Sequence, residues 1–377
     1  MSGARLIGSL RYRDFRYPKN HPLRVPRVSL LLEFLQAEGL IRDEEKVESR
    51  FATLEELLLF HSREYVEALM EADRCMCVPR GARERFNIGT YENPVSPATF
   101  RGSSLATGSS VQAVDLFLDG YRPFNPAGGM HHAFRDRANG FCFINDPGVA
   151  IEVLKRRGFR RILYVDLDAH HCDGVQEAYY DTDEVYVVSF HQSPEYAFPF
   201  RTGYLHERGE GRGKGFNLNV PMPEGLNDNE FLYILERVLG YLRDVFMPEV
   251  YLLQLGTDLL KEDYLSRFEI TNRGFLEAFR LVREAFGEGI YLGGGGYHPI
   301  ALVRAWTLIW CEMSGRRAPE RVGVAGRKVL ESVDWEEFDD EVDRSYMYEL
   351  LLDPRGGGPV RQEVKDLVLR VKTEVYS

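Results

Sequence analysis

Residues 162–174 read Ile-Leu-Tyr-Val-Asp-Leu-Asp-Ala-His-His-Cys-Asp-Gly: a short apolar run that opens directly into carboxylates and imidazoles. The run Ile162–Asp168 predicts a strand. Similar β-rich runs recur at Val185–Phe190, Val250–Leu255 and Ile290–Leu292. Helical apolar spacing separates several of them, at Gly148–Arg156 and Glu230–Phe246. Strands that lack polar alternation and are separated by helices predict an α/β fold, with a parallel sheet covered on both faces. Upstream, Ile7 to Leu10 reads as a first short strand, and Pro18, Pro22 and Pro26 punctuate a loop. The rest of the N-terminal quarter reads as helical. Val28, Leu31, Leu32 and Leu35 have helical spacing, Thr53 and Glu56 make a capping box, and Tyr65, Val66, Leu69 and Met70 continue the pattern. Downstream, Gly356–Gly358 predicts a link to a C-terminal amphipathic helix with Val360, Val364, Leu367, Val371 and Val375 on one face. The acidic stretch Asp334–Asp343 contains Trp335 and Phe338, which predicts a surface cover rather than a partner tail.

The chain has 377 residues, with 47 Lys+Arg against 58 Asp+Glu, a formal charge of −11, and 44% apolar residues. That balance belongs to a globular protein and excludes a disordered one. It argues against nucleic acid as a partner, since phosphate tracking needs a basic excess. The length allows one large domain or two smaller ones. Cys75, Cys77, Cys142, Cys172 and Cys311 are an odd number at irregular spacing, so no disulfide framework is expected. Cys75 and Cys77 read as incidental thiols prone to oxidation. A reducing, cytoplasmic setting fits. No signal peptide is expected, and no apolar run approaches the ~20 residues of a membrane span.

In a parallel α/β sheet, ligands bind beyond the carboxyl ends of the strands. Four segments bring ionisable groups there. One is the 162–174 stretch; the others end in Thr257-Asp258, in Gly293–Gly296 followed by Tyr297, and in His131-His132 after Gly128-Gly129. Asp168, His170 and Asp258 make a metal set. Alternate residues of an extended chain share a face, and two carboxylates with one imidazole leave a fourth position open, as in catalytic zinc sites. Without a thiolate, Fe²⁺, Co²⁺ or Mn²⁺ could substitute. Singly, each Asp would more often cap a following helix. His131 and His132 each need a carboxylate partner, and Asp166 and Asp173 are available. His171 reads as structural support. The glycine run allows close backbone approach, lacks the spacing and lysine of a phosphate loop, and delivers Tyr297, a donor for a developing oxyanion. Phe141, Phe143, Tyr196, Phe198 and Phe200 flank these motifs as core or as channel walls.

The strings PAGGMHHA, NGFCFIND, DLDAHHCDG, QLGTD and GGGGYHP occur in this order. Together they resemble the zinc-dependent histone deacetylases of the arginase/deacetylase superfamily, and the similarity runs over nearly the whole chain. The resemblance implies a single open parallel eight-stranded sheet between helices, and one deacetylase domain over 1–377. The catalytic motifs would lie in 131–297, with peripheral helices from about 320 to 377. It implies zinc on Asp168, His170 and Asp258, with His131 paired to Asp166 and His132 to Asp173. Tyr297 would assist the metal in polarising the acyl carbonyl. Phe141 and Phe198 would wall the tunnel, with Pro22, Gly140 and Leu265 near its mouth. A structural K⁺ or Na⁺ would use backbone oxygens of Asp166, Asp168, His170 and Phe190 and the Ser189 hydroxyl. The substrates would be acetylated lysine peptides, and hydroxamate-type zinc chelators would inhibit.

The rim departs from the family's frequent Tyr-Asp-Cys-Pro, since this chain has Tyr91-Glu92-Asn93-Pro94, and Glu92 is longer than the usual Asp. The related arginases hold two manganese ions, but Cys172 and Leu260 stand where that second metal needs carboxylates, which argues for one metal. Acetylpolyamines or other small acetylated amines are an alternative substrate class, although no insertion that would restrict the tunnel is evident. A non-catalytic acetyl-lysine binder is a third reading, opposed by the complete catalytic set.

Overall fold

The computed structural model describes residues 3–335 and 343–376. Eight strands form one sheet: β1 (Ala4–Gly8), β2 (Lys46–Glu48), β3 (Arg122–Asn125), β4 (Ile162–Asp166), β5 (Val185–Gln192), β6 (Asn217–Met222), β7 (Val250–Gln254) and β8 (Ile290–Leu292). Their order is β2-β1-β3-β8-β7-β4-β5-β6, and every pairing is parallel. The expected eight-stranded parallel sheet is therefore present. The strand beginning the 162–174 stretch lies between β7 and β5, with Asp166 level with Gln254 on one side and Ser189 on the other.

Alternation within the buried strands divides the core in two. Leu163 and Val165 of β4 point to one apolar layer, and Ile162 and Tyr164 to the other. Both faces must be covered for such a sheet to persist. Helices numbered along the chain supply the cover: α1 (Arg27–Ala37), α2 (Leu54–Leu57), α3 (Arg63–Cys75), α4 (Ala82–Phe86), α5 (Ser103–Leu118), α6 (Asp146–Arg156), α7 (Asp173–Tyr179), α8 (Asp228–Val245), α9 (Asn272–Phe286), α10 (Pro299–Ser314), α11 (Val324–Glu331) and α12 (Gln362–Tyr376). Helices α1, α8, α9, α10 and α12 pack on the first layer, and α3, α6 and α7 on the second. The Thr53–Glu56 capping box forms and starts α2. The predicted amphipathic face of α12 buries Val364, Leu367 and Val371. In the acidic stretch, Trp335 packs 4.4 Å from the His298 ring. Phe338 lies outside the described residues.

The cysteine reading needs one correction. Cys75 and Cys77 are joined in a disulfide rather than standing as separate thiols, whereas Cys142, Cys172 and Cys311 are free and buried. Helix α3 ends at Cys75 and Met76 turns into the left-handed region, which folds the two sulfurs toward each other. The loop so closed spans a sequence separation of two, so it removes little freedom from the unfolded chain.

Candidate active site

The carboxyl edge of the sheet gathers the predicted groups. Asp168 and His170 follow β4, and Asp258 follows its neighbour β7. One ligand atom from each lies within 4.8 Å of the others, and all three residues are buried. His170 Nδ1 is 3.2 Å from Asp168 Oδ1 and 3.0 Å from Asp258 Oδ2. Neither aspartate is a helix cap, since α7 begins at Asp173 after Cys172 and α9 begins after Thr271. Both carboxylates are held from behind. Gln254 Nε2 and the Gly295 amide donate to Asp168 Oδ2, each at 2.7 Å, and the Ala169 amide donates to Asp258 Oδ1 at 2.9 Å. A Cβ on Gly295 would collide with the Asp258 carboxylate, so only glycine lets the backbone pass this close.

The electrostatics favour positive charge at this point. Burial, with Asp168 beside it, pushes the Asp258 carboxyl up to about 7. Burial opposes charge on His170 as well, but the two carboxylates outweigh it and hold the imidazole up to about 10. A desolvated pair of carboxylates with an imidazole nitrogen aimed between them fits a divalent cation, which would relieve the repulsion.

His131 and His132 follow β3 on the adjoining loop. His131 Nδ1 lies 2.8 Å from Asp166 Oδ2, and His132 Nδ1 lies 2.7 Å from Asp173 Oδ1. Their Nε2 atoms are 3.0 Å apart. The two rings nevertheless differ. Burial disfavours charge on His131, but Asp166 and Asp168 win and raise it to about 9. Burial and the positive neighbours His131 and His170 push His132 well below its ordinary value. The surroundings thus favour a proton on His131 and disfavour one on His132.

A cavity of about 490 Å³ leads to this floor. His132, His170 and Tyr297 line its base, and Glu92, Gly140, Phe141, Phe198 and Leu265 line its sides. Tyr297 is buried, and its ring centroid is 5.9 Å from that of Phe141 and 6.4 Å from that of His170. Pro22 is outside this lining; its neighbour His21 packs edge-on to Phe141 at 4.6 Å. Tyr196 and Phe200 belong to the cavity wall, whereas Phe143 belongs to the second apolar layer. Glu92 accepts a short hydrogen bond from the Gly140 amide, so the longer side chain braces the tunnel wall. Ser189, expected to serve a monovalent cation, is level with Asp166, and its Oγ is 2.8 Å from His191 Nδ1. Phe190, on the same strand, is fully buried. His171 bonds Thr202 and Gln176, away from the cavity floor.

Several anchors escaped the sequence reading. Tyr17 Oη donates to the Phe141 carbonyl at 2.7 Å. Tyr164 Oη donates to Asp166 Oδ2 at 2.7 Å, and Asn139 Nδ2 to Asp173 Oδ2 at 2.8 Å. Arg27 Nη1 donates to the Gly294 and Gly296 carbonyls, both at 2.9 Å. Gln254 and Asn139 stood in the quoted QLGTD and NGFCFIND strings and carried a signal; Tyr17, Tyr164 and Arg27 are ordinary residues whose role depends on the fold.

Comparison with known proteins agrees with this geometry. Residues 21–313 match the histone deacetylase domain. The chain is 35% identical over 317 residues to the acetoin utilization protein AcuC of Bacillus subtilis, covering 82% of this chain and 81% of that protein. It is 66% identical to a histone deacetylase homologue from Aquifex aeolicus of known structure, with a TM-score of 0.98 over 98% of this chain and 100% of that one. A histone deacetylase homologue solved in complex with SAHA is 65% identical, with a TM-score of 0.97, again over 98% of this chain and 100% of that one. The chain belongs to the histone deacetylase family. Its reaction class is deacetylation, a hydrolysis.

Proposed function

We propose that the protein hydrolyses the acetyl amide of Nε-acetyl-lysine side chains, releasing acetate and a free amine, and that residues 1–377 act as one deacetylase domain. The observation that carries this reading is the convergence of Asp168, His170, Asp258, His132 and Tyr297 on the floor of one aromatic-walled cavity. Asp168, His170 and Asp258 would hold one divalent cation, zinc first, with Fe²⁺, Co²⁺ or Mn²⁺ able to use the same ligands. When bound, that cation supplies Lewis-acid polarisation of the acyl oxygen and lowers the pKa of water at the site.

The chain's own groups supply the rest. Phe141 and Phe198 grip the lysine methylenes and exclude water. Neutral His132 takes a proton at Nε2 from the attacking water, with its Nδ1–H held by Asp173. Charged His131, held by Asp166, tunes that base, and the protonated pair donates to the leaving amine. The Tyr297 hydroxyl donates to the developing oxyanion. Gly140, Leu265 and Glu92 shape the mouth. A K⁺ or Na⁺ behind the site would use the Ser189 hydroxyl and the backbone oxygens of Asp166, Asp168, His170 and Phe190; the pairing of Asp166 with Ser189 supports this. Hydroxamates such as SAHA are expected to bind, supported by the homologue solved with that compound.

Acetate release by zinc-loaded protein over a panel of an acetyl-lysine peptide, acetylspermidine and small acetylated amines tests the proposal. Turnover should be highest on the peptide. A preference for acetylspermidine would transfer the assignment to polyamines, and tight peptide binding without acetate release would overturn catalysis.

A further inference from the structure

Tyr297 stands at the end of four consecutive glycines. Such a run has the greatest conformational freedom the chain offers, and Gly296 uses it, with φ at 136°. A side chain delivered by so pliant a segment needs restraints from outside it. The next residues are no better supplied. His298 is the N-cap of α10 and spends its side chain on the Ala301 amide, and Pro299 has no amide to offer.

Arg27 holds the Gly294 and Gly296 carbonyls, and the Tyr297 amide itself is held by a carboxylate five residues beyond Asp258. Asp263 is buried and accepts three backbone amides. Its Oδ2 accepts from Tyr297 N at 2.6 Å and from His298 N at 3.3 Å, and its Oδ1 accepts from Leu265 N at 3.0 Å. Simple capping of α10 does not account for this pattern. The shortest of the three bonds goes to Tyr297, which precedes the cap and is not one of the orphan amides of the helix. The other carboxylate oxygen leaves the helix altogether and holds Leu265 in the cavity wall.

We propose that Asp263 is a positioning residue: by fixing the Tyr297 amide against the Leu265 segment, it sets where the Tyr297 hydroxyl meets the substrate. This rests on the reading of Tyr297 as the oxyanion donor. The carboxylate of Asp263 bonds the amides of Tyr297, His298 and Leu265 and not Asp168, His170 or Asp258, the last two of which feel only its charge, and it acts through Tyr297. Charge-assisted bonds to backbone amides are the strong kind, and an amide side chain cannot reproduce both ends, since one of its two heads is a donor.

A double-mutant cycle with Tyr297→Phe tests this, read together with amide hydrogen exchange over residues 293–300. Asp263→Asn should lower kcat about 10–100-fold, because misplacement of a reacting group by an ångström is worth that much. KM and bound metal should hardly move. In the Tyr297→Phe background the same substitution should cost less than about twofold, the mark of two residues acting as one unit. Exchange of the 293–300 segment should accelerate while the central strands stay protected. Asp263→Glu, which keeps both acceptors, should restore part of the loss. Equal losses in both backgrounds would overturn the proposal, as would unchanged exchange at 293–300. Accelerated exchange in a protein that releases no acetate in any form would retain the anchor and refute the deacetylase reading.

Discussion

Two buried ionic clusters border α10, and they are built on opposite terms. At its head, Asp168 and Asp258 crowd two carboxylates around one imidazole. On its flank, Arg304 and Asp353 form a fully buried pair of one cation and one anion. The Arg304 Nε also donates to the Leu350 carbonyl at 2.7 Å, and the Asp353 amide donates to Asn272 at 2.9 Å. The flank is matched in charge within the chain, although Arg304 Nη1 and Asp353 Oδ2 have no hydrogen-bond partner among the described residues. The head sets two carboxylates against one imidazole, an arrangement that could hold an added cation. A buried charge set left unbalanced at a cavity floor marks a ligand site, whereas a balanced one marks architecture.

The largest expected effect breaks the matched cluster. Asp353→Ala leaves Arg304 buried without its partner and should cost about 3–5 kcal/mol in urea unfolding. Bound metal per folded molecule should stay the same, and a parallel loss of metal affinity would erase the distinction between the two clusters. Next in size is the response of the unmatched cluster. Zinc at a hundredfold excess over its dissociation constant should stabilise the protein by about 2.7 kcal/mol, and a chelator should remove that gain. Asp258→Ala should abolish the metal response, and a melting point that still rises with zinc would refute the ligand assignment.

The smallest effect comes from a third cluster, in which two cations of the chain serve one carboxylate. Glu45 accepts from Arg42 and from Arg316, the latter at 2.7 and 2.8 Å. Burial raises its pKa, but the two guanidinium groups dominate and bring it down from 4.5 to about 2. A depressed carboxyl stabilises the fold above its unfolded value and loses that contribution as pH falls through the folded one. Wild-type stability should therefore decline between pH 4.5 and 2, by about 2 kcal/mol for a shift of this order. Glu45→Gln should flatten that part of the profile. An unchanged slope would show that other carboxylates set it.

The sequence announced the central strands because β4, β5, β7 and β8 are continuous apolar runs. It hid β2, β3 and β6. The first two are only Lys46–Glu48 and Arg122–Asn125, and β6 carries Asn217, Asn219 and Pro221 in place of an unbroken apolar run. Those asparagines bond Gln176, which lies in another part of the chain. The proposed site residues were legible because ionisable groups are crowded at strand exits in this chain. Their anchors were not. Asp263, Arg27 and Tyr17 have ordinary identities and ordinary neighbours, and only the fold brings them to Tyr297, the glycine run and Phe141. The Cys75–Cys77 bridge was misjudged because spacing alone does not reveal that Met76 turns the chain back.

The order of strands carries one more consequence. Asp168 and His170 leave β4 while Asp258 leaves β7, and the pairing that puts them side by side matches Ile162 with Val250. Parallel contacts between such distant residues are slow to form, since a long loop must close before any contact rewards it. The three proposed ligands can meet only once β7 has paired with β4, so tight metal uptake should accompany that pairing rather than the early collapse. A metal-sensitive signal in a refolding experiment would time the joining of β7 to β4.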